Sequence, residues 1–234
     1  MIALIDGDVL LHQSVWDKTS LAECIEKLEE LITFCQEQVF CDDYLIAVGG
    51  PNNFRELIYP LYKRSVSREK ARQNKSEFFD DLKEYLSNRE NVVTSYGCEA
   101  DDLLRIWANE ARKADKEYIV CSIDKDLKCI VGKHYNLSKQ IVEEINEELA
   151  DTFYWKQILM GDSVDNIPGI EGVGPKKADK ILENKKTREE RKQAVIEAYK
   201  EAYGKQWHEY LTANGRLIHI WRHFNDHFKI AKEG

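Results

Sequence analysis

The sequence predicts an α/β fold, in which a mostly parallel central sheet flanked by helices precedes a lobe made of helices alone. Short apolar runs at 2–5, 44–48 and 118–123 are typical of buried strands, and segments of helical periodicity separate them. Strand and helix alternating in this rhythm indicate a parallel sheet with crossover helices. After Asp151 the alternation stops, and only helical periodicity continues to the end of the chain.

The first strand ends at Asp6, and a helix is expected over about 20–38 with Thr19 or Ser20 as its cap. A strand at 44–48 then stops at Gly49-Gly50-Pro51. The later expected elements are a helix at 76–87, strands at 92–94 and 118–123, a helix at 99–113, and helices at 155–160, 176–182, 187–203 and 207–228. We expect an α/β core over 1–160 and a helical lobe over 161–234.

Composition excludes several classes of protein. With 43% hydrophobic and 32% charged residues among 234, the chain can build a core and is not disordered by composition. The six cysteines form no Cys-x-x-Cys pair, and several lie in apolar runs, so we expect free buried thiols in a reducing compartment. Neither a signal peptide nor an apolar run of roughly 20 residues is present, so we expect no membrane association. We expect a monomer in the cytoplasm of a bacterium or a phage-infected host cell.

The net charge of −8 is unevenly distributed along the chain. One basic stretch between Tyr62 and Lys75 has only Glu69 to oppose it and contains Lys63, Arg64, Arg68, Lys70, Arg72 and Lys75. A second, mixed with acids, spans 176–192. Basic strips beside acidic clusters indicate a protein that holds phosphates in one place and metal ions in another.

The acidic residues cluster where expected strands end. These candidate metal-binding residues are Asp6, Asp8, Glu99, Asp101, Asp102, Asp124, Asp126, Asp162 and Asp165. Ligands bind at the carboxyl ends of the strands in open α/β sheets, so the acids are expected to converge there. Any one acid alone is better explained as a helix cap or a solvated charge, but a set at equivalent strand ends fits that explanation poorly.

Converging carboxylates repel one another unless cations neutralise them. Oxygen-only ligands select a hard ion, so we expect Mg²⁺, with Mn²⁺ able to substitute. Two such ions about 3.5–4 Å apart would suit a phosphodiester displacement.

The glycine-rich string from Asn166 to Ala178 predicts a tight turn before a helix that begins near Pro175. Backbone N–H groups at Gly172 and Gly174 could hold a DNA phosphate, and Lys176 and Lys177 would add counterion-release affinity. An ordinary turn between packed helices is the alternative.

Five strings together resemble the 5′-nuclease or flap-endonuclease family, which includes the 5′-exonuclease domains of bacterial DNA polymerases and short phage exonucleases. They are Leu4-Ile5-Asp6-Gly7-Asp8, Tyr62-Lys63, Gly97-Cys98-Glu99-Ala100-Asp101-Asp102, Ser122-Ile123-Asp124-Lys125-Asp126 and Gly161-Asp162-Ser163-Val164-Asp165-Asn166-Ile167-Pro168-Gly169. They stand in the family's order at about its spacing and cover residues 4–178.

The resemblance implies that Asp6, Glu99, Asp101 and Asp124 or Asp126 hold one metal ion. It implies that Asp126, Asp162 and Asp165 serve a second ion, with Asp102 bonding through water. It assigns Lys63 to the scissile phosphate with help from Arg68, and Asp124 and Asp126 to catalysis. It also implies that 1–160 is a nuclease core with a basic arch at about 62–90, and that 161–234 is a DNA-binding lobe. The turn at 169–178 would grip duplex DNA and bind K⁺ through backbone carbonyls. The implied reaction is 5′→3′ exonuclease and flap cleavage of DNA, or of RNA in a hybrid, that leaves 5′-phosphates.

Two positions depart from the family pattern. The family has an acid after the second strand, whereas Val48-Gly49-Gly50-Pro51-Asn52 has none, and Asp8 is the candidate to compensate. The family often has arginine three residues after the lysine, where this chain has Val66 with Arg64 and Arg68 on either side.

A binding relative without catalysis and a PIN-type ribonuclease are the alternative functions. His219, His223 and His227 recur every four residues, and we expect a solvated helix face there rather than a zinc site.

Overall fold

A computed structural model describes residues 1–231, which form two compact units. The α/β unit consists of Met1–Asn53, Gln73–Ile145 and Trp221–Phe224. The helical unit consists of Phe54–Arg72, Asn146–Ile220 and the chain from Asn225 onward. This division differs from the boundary expected near residue 160. The basic stretch as far as Arg72, and the whole helix that ends at Met160, group with the helical unit.

A six-stranded sheet with the order β3-β2-β1-β4-β5-β6 forms the centre of the α/β unit. The strands are β1 (Ile2–Asp6), β2 (Asp43–Val48), β3 (Val92–Thr94), β4 (Tyr118–Ser122), β5 (Gly132–Asn136) and β6 (Ile141–Ile145). All neighbours pair in parallel except β5 and β6, which form an antiparallel hairpin at one edge. The expected mostly parallel sheet is therefore confirmed, while the β5–β6 hairpin was not anticipated.

Helices cover both faces of this sheet. Helices α1 (Gly7–Ser14), α2 (Leu21–Val39) and α5 (Phe79–Ser87) pack on one another, and α6 (Ala100–Lys113) packs against β1, β2 and β4. Side chains alternate along a strand, so Ala3 and Ile5 join the core with α2 while the buried Leu4 points to the opposite face.

The stretch expected to form an arch, 62–90, divides into two parts. Helix α5 packs against α1 and α2 through the buried side chains of Phe79, Leu82 and Leu86. The Phe79 ring also packs at a tilt against the His12 ring, with centroids 4.8 Å apart, so it anchors the helix. The part before α5 includes α4 (Val66–Gln73), a helix with no buried residue.

The helical unit begins with α3 (Phe54–Ile58) and is built mainly from α7 (Glu147–Met160), α8 (Pro175–Leu182), α9 (Arg188–Tyr203) and α10 (Trp207–Ile218). Tyr199 of α9 is fully buried, and its hydroxyl donates to the Ile158 carbonyl at 2.7 Å. Arg55 of α3 is also buried and donates to the carbonyls of Leu217 and His219. These bonds fix the helices around one core.

The helix expected over 207–228 was wrong beyond Ile218, where α10 ends and His219 turns extended. His219 is instead buried, with Nδ1 3.1 Å from the Tyr154 hydroxyl and Nε2 3.1 Å from the Asp226 carboxylate. His223 is exposed and His227 packs edge-on against Phe54, so the three histidines share no helix face.

All six cysteines are buried and free, as expected. Burial raises the pKa of Cys129 to about 11, so this thiol packs as a small apolar group. Within residues 1–231, no helix has the length and apolar character that a membrane crossing requires.

Candidate active site

The Asp6 carboxylate lies at the carboxyl end of β1 and is only 4% exposed. One oxygen accepts a hydrogen bond from Val9 N–H at 3.3 Å and so caps α1, and the other accepts from the Ser122 hydroxyl at 2.6 Å. Burial raises the pKa of Asp6 to about 6, the Ser122 hydrogen bond opposes this, and the nearby charges of Asp8 and Asp124 raise the pKa further. A buried carboxylate thus lies among acidic neighbours, which is an arrangement that a cation would stabilise.

Asp8, in the first turn of α1, reaches the carboxyl end of the adjacent strand β2. Its Oδ1 atom accepts a hydrogen bond from Gly49 N–H at 3.0 Å. A Cβ atom at position 49 would lie 2.7 Å from Asp8 Oδ2, so the carboxylate occupies the space beside this glycine. The strand end without an acid of its own therefore carries the carboxylate of Asp8.

Asp124 and Asp126 follow β4 on a short 3₁₀ turn, Lys125–Cys129. The Asp124 carboxylate caps this turn by accepting from Asp126 N–H at 2.8 Å, and Asp124 N–H donates to the Ser122 hydroxyl at 2.9 Å. Ser122 therefore links the acids that follow β1 and β4. Sequence reasoning gave Ser122 no role, although its place at the strand end before Asp124 is the signal that could have identified it.

Glu99, Asp101 and Asp102 lie at the start of α6, but they do not share one environment. Glu99 and Asp101 are half-buried, whereas Asp102 is completely buried. The two Asp102 oxygens accept hydrogen bonds from Glu99 N–H at 2.9 Å and from Trp221 N–H at 2.8 Å. These hydrogen bonds give Asp102 a structural role, because its oxygens hold the backbone of the α6 start and of the segment at Trp221. The expected role of Asp102 at a metal ion, through water, stays a prediction.

In the helical unit, Asp162 and Asp165 belong to one tight turn between α7 and α8, which we call the acidic turn (Asp162–Ile167). Asp162 closes it through mutual backbone hydrogen bonds with Ile167, and its carboxylate accepts from Val164 N–H at 2.7 Å. The Asp165 carboxylate contacts Arg68 at 2.7 Å and lies 3.9 Å from Lys63 Nζ. The structure therefore brings Asp165 together with Lys63 and Arg68, the two basic residues expected to act in catalysis.

The remaining basic candidates lie on the surface of the helical unit. Arg64, Lys70 and Arg72 are exposed on or next to α4. Gly172 adopts a left-handed φ of +72° with nothing within 4 Å of its missing side chain, and Gly174 caps α8 immediately before Pro175. Lys176 and Lys177 are exposed in the first turn of α8. The turn is therefore open to a ligand.

The chemistry of the donor set fits a hard divalent ion, since it consists of carboxylates around the buried, raised-pKa Asp6. Among residues 1–231, no three His, Cys, Asp or Glu side chains lie close enough together to hold a metal ion in this structure.

A sheet with acids at its carboxyl edge defines the class as an α/β protein with a carboxylate site. The family model for the N-terminal resolvase-like domain of 5′-3′ exonucleases matches residues 1–154, so the chain belongs to the 5′-3′ exonuclease family.

Among curated relatives, DNA polymerase I of Rhizobium leguminosarum is 34% identical over 100 residues, which are 39% of this chain and 10% of the polymerase. Flap endonuclease Xni of Shewanella pealeana is 28% identical over 143 residues, which are 57% of this chain and 55% of that protein. The chain thus matches a tenth of one relative and about half of the other.

Among solved structures, the bacteriophage T5 D15 protein co-crystallised with metal ions has a TM-score of 0.66 at 18% identity, with 93% of this chain and 85% of that chain covered. The catalytic core of Rad2 in complex with DNA substrate has a TM-score of 0.53 at 15% identity, with 86% and 65% covered. Both show that the fold is shared, as the sequence predicted.

Proposed function

We propose that this chain is a divalent-metal-dependent 5′-nuclease, a 5′→3′ exonuclease with flap endonuclease activity that leaves 5′-phosphates. The observation that carries the proposal is the buried Asp6 carboxylate among the negative charges of Asp8 and Asp124 at the carboxyl edge of the sheet. Family membership supports it, as do the T5 D15 protein co-crystallised with metal ions and the Rad2 core in complex with DNA.

The proposed cofactor is Mg²⁺, replaceable by Mn²⁺, in a pair of ions. Within the α/β unit we assign Asp6, Asp8, Glu99, Asp101, Asp124 and Asp126 as ligands. Asp162 and Asp165 keep the metal-binding role that the family resemblance implies for them. When bound, the ions would lower the pKa of water and neutralise charge on the phosphate. Ser122 orients two of the acids, and Lys63 and Arg68 provide positive charge for the scissile phosphate.

The proposed substrate is DNA with 5′ ends, flaps or junctions, with RNA in hybrids as a further substrate. Backbone N–H groups of the turn at Gly172 and Gly174, with Lys176 and Lys177, would contact phosphates without reading bases. K⁺ at the turn 169–178 is part of the same proposal, although the Gly169 carbonyl already accepts from Tyr203 and Asn214. We propose that the protein works as a cytoplasmic monomer.

The test is cleavage of duplex DNA that carries a 5′ flap and a 3′-end label, in Mg²⁺ and in EDTA. Shortening from the 5′ side that requires Mg²⁺ and is lost in Asp124→Ala/Asp126→Ala is the expected result. The matched control is Asp42→Ala/Asp43→Ala, which removes two exposed acids at the start of β2 and should leave cleavage unchanged.

Two other outcomes would overturn the proposal. Salt-sensitive flap binding without cleavage in Mg²⁺ or Mn²⁺ would identify a binding relative that has lost catalysis. Cleavage of a matched RNA flap but not of the DNA flap would identify a ribonuclease of the PIN type.

A further inference from the structure

The main chain of Lys63 adopts an unusual conformation. Its φ is +54°, in the left-handed region that residues with a Cβ atom rarely occupy. Such strain persists only where surrounding contacts impose it, and it concentrates at functional sites.

One of those contacts is local, since Arg64 N–H donates to the Leu61 carbonyl at 3.1 Å across Lys63. Three others come from the acidic turn. Lys63 N–H donates to the Asp165 carbonyl at 2.8 Å. On one side of Lys63, the Asn166 side-chain amide donates to the Leu61 carbonyl at 2.9 Å. On the other side, the Ser65 hydroxyl donates to the Val164 carbonyl at 2.7 Å. Three consecutive residues of the turn, 164–166, thus bind every second residue from Leu61 to Ser65. We call residues 61–68 the basic segment.

Asn166 suits this task because asparagine tolerates a left-handed conformation, and its φ is +60°. Its side chain is thereby presented to the Leu61 carbonyl. The same turn carries the Asp165 carboxylate, which contacts Arg68 at 2.7 Å. One rigid turn therefore sets the positions of Lys63 and Arg68 together.

We propose that Asn166 and Ser65 are positioning residues that fix Lys63 for the reaction by fastening the basic segment to the acidic turn. This rests on the proposed function. Neither residue touches the phosphate; each acts through the backbone that carries Lys63. Misplacement of a catalytic group by about 1 Å is enough to lower a rate by up to 10²-fold.

The test uses Ser65→Ala/Asn166→Gly in the full chain. Glycine adopts a φ near +60° without strain, so the change at 166 removes the side-chain contact alone. We expect kcat for flap cleavage to fall about tenfold or more while KM changes less than about twofold. In metal-free protein, amide hydrogen exchange of segment 61–68 should quicken about fivefold to tenfold for each of the two lost hydrogen bonds.

Two comparisons separate positioning from general destabilisation. Ser65→Thr/Asn166→Gly keeps the hydroxyl at position 65 and should recover part of kcat. Asn184→Gly changes an exposed asparagine of similar φ, +61°, and should leave kcat and exchange unchanged.

Unchanged exchange in Ser65→Ala/Asn166→Gly would overturn the fastening, and faster exchange with unchanged kcat would overturn the positioning role. If the wild-type protein cleaves no flap, the proposed function fails, and the exchange measurement alone decides whether the turn fastens the segment.

Discussion

The Asp8 carboxylate accepts the Gly49 backbone N–H at 3.0 Å and fills the space that a side chain at position 49 would need. An acid from the first turn of α1 thus lies at the end of β2, where the family pattern calls for an acid that this chain lacks. The carboxylate beside Gly49 therefore comes from α1, and not from the residues that follow β2.

This relationship predicts that Asp8 and an acid at position 49 are interchangeable but mutually exclusive. Asp8→Ala should raise the Mg²⁺ concentration for half-maximal cleavage about tenfold, because a charged ligand is lost. Gly49→Asp alone should destabilise the fold, since its Cβ would lie 2.7 Å from Asp8 Oδ2. The double change Asp8→Ala/Gly49→Asp should restore Mg²⁺ affinity. Magnesium titration of cleavage and isothermal calorimetry check this, and unchanged affinity in Asp8→Ala would show that Asp8 is no ligand.

The pKa of Asp6 predicts how stability depends on pH without metal. Its folded pKa of about 6 exceeds the ordinary 3.8, so the folded state binds the proton more tightly. The resulting stabilisation is complete below about pH 3.8 and is lost as pH rises through about 6.

Asp6→Asn, which keeps the cap to Val9, should therefore raise stability at pH 7.5 in EDTA by about 2 kcal/mol, or roughly 4–8 °C in Tm. The gain should shrink below pH 5, and Mg²⁺ should stabilise the wild type but not the variant. Thermal unfolding at both pH values checks this, with the exposed Asp43→Asn as control. An equal gain at both pH values would contradict it.

The hydrogen bonds of Asp102 predict a structural rather than a catalytic phenotype. Asp102→Ala removes the acceptor for the N–H groups of Glu99 and Trp221 and should cost about 2–4 kcal/mol of unfolding free energy. The neighbouring Asp101→Ala should show the reverse, with Tm changed little and cleavage reduced about 100-fold or more. Denaturant unfolding and flap cleavage of both variants separate the two roles. A stable but inactive Asp102→Ala variant would instead assign Asp102 to the metal site.

Asp101 and Asp102 also show where the sequence stops being informative. Adjacent residues on a helix point about 100° apart, so their environments differ, and the sequence alone does not give the rotation of the helix that decides which of them is buried. The strand ends were predictable, because apolar runs and the acids that follow them are local signals. The sequence offered Asp8 as the acid that compensates after β2, but only the fold shows its contact with Gly49, because the two residues are 41 apart in the chain.

Other differences have similar causes. The β5–β6 hairpin lacks a clear apolar alternation, with Lys133 in one strand and exposed Ile141 and Val142 in the other. Helix α1 follows β1 without a loop, because Asp6 both ends the strand and caps the helix. After Ile218 the buried contacts of His219 override the helical spacing of the histidines.

The contacts of Asp165 predict which arginine takes part in catalysis. Arg68 bonds to Asp165 at 2.7 Å, whereas Arg64 is exposed to solvent. Arg68→Ala should therefore lower kcat about 100-fold, by analogy with the loss of one charge-stabilising group. Arg64→Ala should mainly raise KM, by about threefold. Steady-state cleavage at fixed Mg²⁺ checks this, and the opposite pattern would assign the role to Arg64.

The turn before α8 predicts binding that depends on charge but not on sequence. Lys176 and Lys177 are exposed beside the exposed Gly172 and Gly174, at the start of α8, where the positive end of the helix favours a phosphate. Lys176→Ala/Lys177→Ala should weaken duplex binding about 5–20-fold and lower the slope of log K against log salt by about 2.

The matched control is Lys113→Ala/Lys116→Ala, which removes the same charge from exposed positions at and just beyond the end of α6. Fluorescence anisotropy in EDTA, on two duplexes of unrelated sequence and over a range of salt, gives both quantities without cleavage. Equal losses on both duplexes follow from phosphate contacts, since phosphates carry no sequence information. A loss on one duplex only would mean that the turn reads bases, and an equal loss in the control would mean that overall charge, rather than this turn, holds the DNA.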